Sequence, residues 1–236
     1  MSLLRLVSIA CGMACLLPAQ DEGRQKVQVS NTQRLDFPAG GALRVTGSSG
    51  EVMVEGWDQP NMEITVVKST QDFYNQRDRE KVSQELDRLR VTAERQGEAV
   101  VVSTTAPRRR SSPMISEFHI AAHVDLEYRI RVPRDARLII VHRTGEVHVT
   151  NVLGDIQVKV LRGGITVGLP GDGQYGIGAK SDLGSVHSDF SGQTKRKRMV
   201  GQTFAEDGAP AAHKVNLRVG YGDILLQKPT KLPAAR

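Results

Sequence analysis

Apolar and polar positions alternate with a period of two along most of this chain, and glycines interrupt the alternation at short, regular intervals. The clearest stretch runs from Arg143 to Leu169, where one phrase recurs: Thr144-Gly145-Glu146-Val147-His148-Val149, then Leu153-Gly154-Asp155-Ile156-Gln157-Val158, then Gly163-Gly164-Ile165-Thr166-Val167. Each copy is a turn residue, a small or acidic residue, and β-branched residues alternating with a polar one. The register advances nine residues from Glu146 to Asp155 and nine more to Gly164. Looser echoes are Gly50-Glu51-Val52-Met53-Val54, Gly184-Ser185-Val186-His187-Ser188 and Gly222-Asp223-Ile224-Leu225-Leu226. A fixed short period of strand and turn predicts a stack of similar β-units, none of which buries enough surface alone. Within each unit the β-branched pair (Val147/Val149, Ile156/Val158, Ile165/Val167) points one way, and His148, Gln157 and Thr166 point out. Stacked copies would bury a continuous column of Val and Ile, with glycines at the tight corners.

The same reading places strands at Lys26-Val29, Leu43-Thr46, Val52-Glu55, Met62-Val67, Phe118-Val132 and Leu138-Val141, and a last pair from Val215 to Leu226. Period two fails between about Asp72 and Leu89, where Val82, Leu86 and Leu89 fall on one helical face, so a helix is expected over 72–89. Asp72 or Asn75 can cap it. A hairpin follows, joined at Gln96-Gly97, and residues 106–113 read as a loop. The fold class expected is all-β: a β-solenoid-like stack of Gly-[Asp/Glu]-[Val/Ile]-x-Val repeats with one helix and a hairpin insertion. An antiparallel β-sandwich is the alternative, because a nine-residue unit can also be drawn as a meander. The organisation expected is a signal peptide over 1–19, a single β-repeat domain over 20–228 and a flexible tail over 229–236.

The N-terminus changes the picture. Arg5 followed by the apolar stretch Leu6–Leu17 and Pro18-Ala19 has the layout of a secretory signal peptide, with cleavage expected between Ala19 and Gln20. Gly12-Met13-Ala14-Cys15 offers a competing lipid anchor through Cys15. Export to the periplasm or the extracellular space follows from either reading. The only cysteines, Cys11 and Cys15, lie inside this segment, so after cleavage at Ala19 disulfides, thiol catalysis and cysteine-ligated metal are excluded together. Aromatic residues are 4% of the chain, which argues against a carbohydrate groove of stacked rings.

An exported chain with these features resembles the bacterial family of adhesin-like envelope domains of unknown function labelled DUF4097. The residues carrying the resemblance are the Val54-Glu55-Gly56-Trp57-Asp58 corner, the helical insertion followed by a hairpin, and Ile130-Arg131-Val132-Pro133 before the repeats. The closing Leu217-Arg218-Val219-Gly220-Tyr221-Gly222-Asp223-Ile224 completes it. The resemblance covers roughly 27–228 and implies a β-solenoid-like fold in the cell envelope. It implies no catalytic or binding residues.

Candidate chemistry is thin. Gly171-Asp172-Gly173-Gln174-Tyr175-Gly176 spells a dinucleotide-loop pattern, but Pro170 separates it from the preceding strand and the following Ile177–Gly184 is too glycine-rich for the helix such loops require. His119 and His123 share a strand face about 13 Å apart, and His148 and His187 occupy equivalent slots about 10 Å or more apart. Neither spacing closes on one ion, so no metal and no cofactor are expected. Ser185, His187 and Asp189 adjoin along one strand, whereas a catalytic triad is assembled from separate elements. Glu146 and Asp155 are expected to bond turn amides. No enzyme is expected, and an uncharacterised hydrolase remains the third class of function.

Charge carries more information. The formal net charge is +6, and loss of Arg5 with the signal leaves +5. Much of the excess is concentrated in two expected loops, Arg108-Arg109-Arg110 and Lys195-Arg196-Lys197-Arg198, which are the candidate anion-binding residues. The function expected is a non-enzymatic exported envelope protein, an adhesin-like or scaffold module presenting a stacked β-surface. The alternative is a binder of anionic envelope polymers or lipid headgroups through the basic loops. Partners would be envelope polymers, anionic lipids or other envelope proteins. Nucleic acid is not expected, since aromatic residues do not interleave with the basic ones.

Overall fold

The computed structural model describes residues 24–105, 124–171, 174–196, 200–206 and 211–228. The signal segment, the loop at 106–113 and the tail at 229–236 lie outside the described residues. In chain order the strands are β1 (Gln28–Asp36), β2 (Ala42–Ser49), β3 (Glu51–Trp57), β4 (Asn61–Thr70), β5 (Arg90–Gln96), β6 (Ala99–Thr105), β7 (Val124–Pro133), β8 (Arg137–Thr144), β9 (Val147–Thr150) and β10 (Ile156–Arg162). They continue with β11 (Ile165–Gly168), β12 (Tyr175–Leu183), β13 (Val186–Ser188), β14 (Gly192–Arg196), β15 (Gln202–Glu206), β16 (His213–Tyr221) and β17 (Ile224–Gln227). One helix, α1 (Gln76–Arg88), falls between β4 and β5.

The chain is all-β in two mixed sheets. An eight-stranded sheet runs β1-β4-β7-β3-β9-β11-β17-β13, and a nine-stranded sheet runs β14-β15-β12-β16-β10-β8-β2-β6-β5. Five consecutive strand pairs, β2/β3, β8/β9, β10/β11, β12/β13 and β16/β17, each cross from the nine-stranded to the eight-stranded sheet through a glycine. Neighbouring pairs meet in parallel ladders on both sheets. Antiparallel pairing is confined to the flanks, where β1, β4 and β7 join at one end and β14, β15 and β12 at the other, with β5 against β6. The centre is therefore not an antiparallel sandwich.

Two details differ from a simple stack of nine-residue units. Successive copies of the phrase lie on opposite sheets, so Val147 stacks on Ile165, eighteen residues on, while Ile156 stacks on Leu138 and Val215. The repeating unit is the two-strand arch. The arches also stand out of chain order, since β16 lies between β10 and β12 and β17 lies between β11 and β13.

A glycine turns every arch. Gly50, Gly145, Gly163, Gly222 and Gly184 all have φ between 114° and 142°, where a side chain is strained. They also stack: a Cβ on Gly163 would sit 2.0 Å from the Gly145 carbonyl oxygen, and one on Gly222 would sit 1.8 Å from that of Gly163. The amides of Gly50, Gly145, Gly163 and Gly222 each donate to the neighbouring rung, as in Gly163 N to Tyr221 O at 2.9 Å. Of the two acids expected to bond turn amides, Asp155 Oδ1 accepts from Lys214 N at the start of β16 and the Glu146 carboxylate makes no such bond among the described residues; Asp223, at an arch corner, accepts from Ser185 N.

Between the sheets the inward positions form columns. One is Leu43-Leu138-Ile156-Val215-Ile177 and another is Val52-Val147-Ile165-Ile224-Val186, all buried. Each fully buried aliphatic side chain stabilises the fold by about 1.5–3 kcal/mol. The column nearest the corner is mixed: Gly47, His142, Val160, Val219 and Ser181. His142 fits there because Gly47 beside it has no side chain; a Cβ on Gly47 would meet His142 Nδ1 at 2.6 Å. Its Nε2 lies 2.9 Å from the Gly50 carbonyl oxygen. Burial holds the His142 imidazole below its ordinary range, opposed by its hydrogen bonds to backbone.

Helix α1 begins after Asn75, later than the expected start at 72, and no side chain caps it. Val82 and Leu86 bury against Val27 in a small separate cluster, which lays the helix along β1.

Candidate functional site

Because side chains alternate across a strand, the inward columns leave a second set of residues facing solvent. On β2, β8, β10, β12 and β16 of the nine-stranded sheet this set includes Arg44, Arg137, Arg143, Lys159, Lys180, Lys214 and Arg218, against one carboxylate, Asp182. Strand register brings the centre of the group into one row. Thr46, Val141, Lys159, Arg218, Lys180, Thr203 and Lys195 stand side by side across seven strands. Neighbours in such a row are about 4.8 Å apart.

Beside the row, Gly178 contributes no side chain, and a concavity of about 330 Å³ opens among Gln157, Lys159, Lys180, Asn216 and Arg218. Asp182 bridges Lys180 at 2.7 Å and Arg218 at 3.1 Å, and these two cations hold its carboxyl below the usual range. Among the described residues, Arg44, Arg143, Lys159 and Lys214 make no ion pair. Apolar side chains are interspersed with these cations: Val141 and Leu161 are about half exposed, and Tyr221 lies at the corner under the Arg162 guanidinium.

The opposite outer face has the reverse character. Its outward charged residues are Arg34, Arg129 and Arg131 against Asp36, Glu51, Glu55, Glu63, Asp125 and Glu127. Every one of those arginines is paired: Arg34 with Glu63 at 2.7 Å, Arg129 with Glu127 at 2.5 Å, and Arg131 with Glu55 at 3.3 Å.

The residues picked out by sequence fall in several places. Arg108, Arg109, Arg110, Lys197 and Arg198 lie outside the described residues, as do Ala19, Gln20, His119 and His123. Lys195 and Arg196 are not in a loop. They belong to β14, an edge strand held by its ladder to β15, whose Phe204 is buried in the core. Lys195 joins the basic row; Arg196, next along the strand, does not. Sequence reasoning missed the rest of the row because its basic members are spread from Lys159 to Arg218 and meet only through strand register. The one signal available was single basic residues at outward positions of successive repeats.

The other candidates resolve locally. His148 and His187 stand in one outward row with Thr166 and Leu225 between them, and His148 Nε2 approaches Glu51 at 3.4 Å. Among the described residues no group of three or more metal-ligating side chains gathers. Gly176 and Gly178 lie in strand β12, with no helix after them to receive a phosphate. Ser185 Oγ lies 3.1 Å from His187 Nε2 but donates its hydrogen to Asp223 Oδ1 at 2.7 Å. The hydroxyl has one proton and gives it to the acid, so the imidazole does not act on it as a base. Asp189 is elsewhere, accepting from Lys228 N at 3.3 Å. Among the described residues no helix is long and apolar enough to cross a membrane.

No family model matches this chain, and no curated protein does. Solved structures do. A "putative cell adhesion protein" from Clostridium sporogenes is 13% identical, with 85% of this chain and 100% of that one covered and a TM-score of 0.44. A "putative adhesin" from Parabacteroides distasonis is 9% identical over 85% of this chain and 79% of its own, with a TM-score of 0.33. Another from Parabacteroides merdae is 7% identical over 86% and 97%, with a TM-score of 0.26. At these scores the fold rests on the ladders described above, and the chain stands as an all-β protein similar to structures named for adhesion.

Proposed function

We propose that this protein is a non-enzymatic, exported envelope module whose five arches act as a solenoid-like scaffold, and that the outer face of its nine-stranded sheet docks on an anionic lipid surface. The observation that carries the reading is the row Lys159, Arg218, Lys180 and Lys195, set near exposed Val141 and Leu161, where the five arch strands of this sheet carry one outward carboxylate, Asp182. Cations attract phosphate headgroups, and the apolar side chains between them gain by leaving water at the interface. A flat ladder presents these groups in one plane. The adhesin-like role expected from sequence is retained in the sense that a β-surface, not a pocket, makes the contact.

The test is co-sedimentation of the purified protein with phosphatidylglycerol vesicles and with phosphatidylcholine vesicles, at low and high salt. Binding is expected only to the anionic vesicles and is expected to weaken with salt. Changing Lys159, Lys180 and Arg218 together to Gln should reduce it about a hundredfold, at about 1 kcal/mol per basic residue. Arg131→Gln on the opposite face should leave it unchanged. Equal binding by the triple variant would overturn the assignment of the face. Binding to a soluble anionic polymer but not to vesicles would replace the lipid surface with the polymer as partner.

A further inference from the structure

The two sheets are not equally long. Beyond the first arch, β2/β3, the eight-stranded sheet continues with β7, β4 and β1, while the nine-stranded sheet continues with only β6 and β5. Tyr128 of β7 reaches Thr104 of β6 at 2.5 Å, so these two strands face each other across the core. Continuing outward, β4 faces β5, and among the described residues β1 overhangs with α1 along it and no strand opposite. The overhang leaves a cleft of about 500 Å³ between the inner sides of β1 and β4 and the inner side of β5. That volume is in the range of roughly 300–1,000 Å³ usual for small-ligand sites.

The cleft has two ends of different chemistry. Its apolar lining is Ile64 and Val66 of β4, both almost fully buried, with Val91 of β5 and Leu89, the residue that ends α1 just before β5. At the helix end stands Lys68, only 7% exposed, whose Nζ donates to the Leu86 carbonyl at the C-terminus of α1 at 3.1 Å. That bond uses one of its three N–H donors. The carboxylate that lines the cleft, Asp87, acts on Lys68 through space without a hydrogen bond or a salt bridge. Burial holds the ammonium below its ordinary range, opposed by Asp87, and a hydrogen-bonded anion on its remaining donors would oppose that desolvation further.

We propose that this cleft binds a single-chain carboxylate amphiphile of the fatty-acid type, its head on the Lys68 ammonium and its chain between Ile64, Val66, Leu89 and Val91. A carboxylate is favoured over a phosphate monoester because Asp87 already places one negative charge in the cleft with Lys68 and Arg90, and a carboxylate adds one more where a phosphate monoester adds nearly two. The chain runs toward the open side under β1, where Asn31 and Gln33 face the water. This site is separate from the basic outer face, and neither proposal depends on the other.

The experiment is displacement of dansylundecanoic acid from the purified protein, followed by fluorescence. Hexadecanoate should displace the probe at micromolar concentration, and its methyl ester should need at least about tenfold more, in line with loss of a charge-assisted hydrogen bond. Lys68→Met, similar in length and uncharged, should weaken probe binding about tenfold or more, and Lys68→Arg should weaken it less. Ala93→Trp, which fills the cleft from β5, should abolish binding while thermal unfolding remains cooperative, and it keeps the test decisive should Lys68→Met not fold. Absence of probe binding, equal displacement by the ester, or full binding in Ala93→Trp would each overturn the proposal. The triple variant of the basic face should bind the probe normally.

Discussion

The two outer faces of the molecule share one backbone device and differ in how they handle charge. On the eight-stranded sheet Arg34, Arg129 and Arg131 each sit against a carboxylate of the same face. On the nine-stranded sheet Arg44, Arg143, Lys159 and Lys214 make no ion pair among the described residues. Surface pairs of the first kind contribute about 0–1 kcal/mol each and leave none of that face's arginines unopposed. A row of like charges spaced by a strand pitch repels itself and costs stability. A fold that carries such a row on one side only has placed the cost where an external anion can offset it.

The comparison can be broken most severely at the corner that holds both faces in register. Gly222→Ala should destabilise the protein by about 4 kcal/mol or more, because a Cβ would lie 1.8 Å from the Gly163 carbonyl oxygen and φ is 137°. Urea unfolding should show this as a large drop in midpoint, whereas Gly178→Ala, whose Cβ meets Asn216 Oδ1 at 3.5 Å, should be nearly neutral. Equal effects would mean the glycine column is not what joins the sheets.

A smaller change sharpens the electrostatic contrast. Gly178→Glu would place a carboxylate among Lys159, Lys180 and Arg218 and is expected to weaken binding to anionic vesicles about tenfold with stability little altered. Unaltered vesicle binding would remove that row from the docking surface.

The smallest expected effect lies inside the nine-stranded sheet. His142 is held below its ordinary range by burial, so the unfolded chain takes up a proton first as pH falls. Its contribution to stability is therefore present above about pH 6.5, is lost as pH falls toward the lower folded value and is constant below it. The expected slope within that window is up to about 1.4 kcal/mol per pH unit, and His142→Leu should remove that part of it in denaturation series run at several pH values.

How much of this was legible in the sequence follows from the range of each signal. Alternation is local, so the inward Val147, Val149, Ile156, Val158, Ile165 and Val167 could be read directly, and they are buried. Glycine turns are local too. Which copies stack is not local: Gly145-Glu146-Val147 and Gly154-Asp155-Ile156 look alike, yet one turns an arch and the other opens a strand of the facing sheet. The basic row depends on register between β10, β16, β12, β15 and β14, which no period in the sequence announces. Counting charge by clusters favoured Lys195 to Arg198 over Lys159, Lys180 and Arg218, although single residues recurring on one face make the larger patch. The cleft was invisible for a similar reason, since it arises from a difference in strand number between two sheets.

The position of β16/β17 between β10/β11 and β12/β13 has a consequence for the order in which the molecule is assembled. A stack whose rungs follow the chain can grow one rung at a time as residues emerge from a ribosome or a translocon. Here the rung at Val215–Leu226 fills a gap left between two rungs already made, and until it arrives both sheets are cut in two, with four strand edges open to misplaced partners. The parallel pairing that closes the gap joins residues about sixty positions apart on one side, as in Ile156 with Val215. Closure therefore waits on a slow, long-range search, and the late strand acts as a keystone.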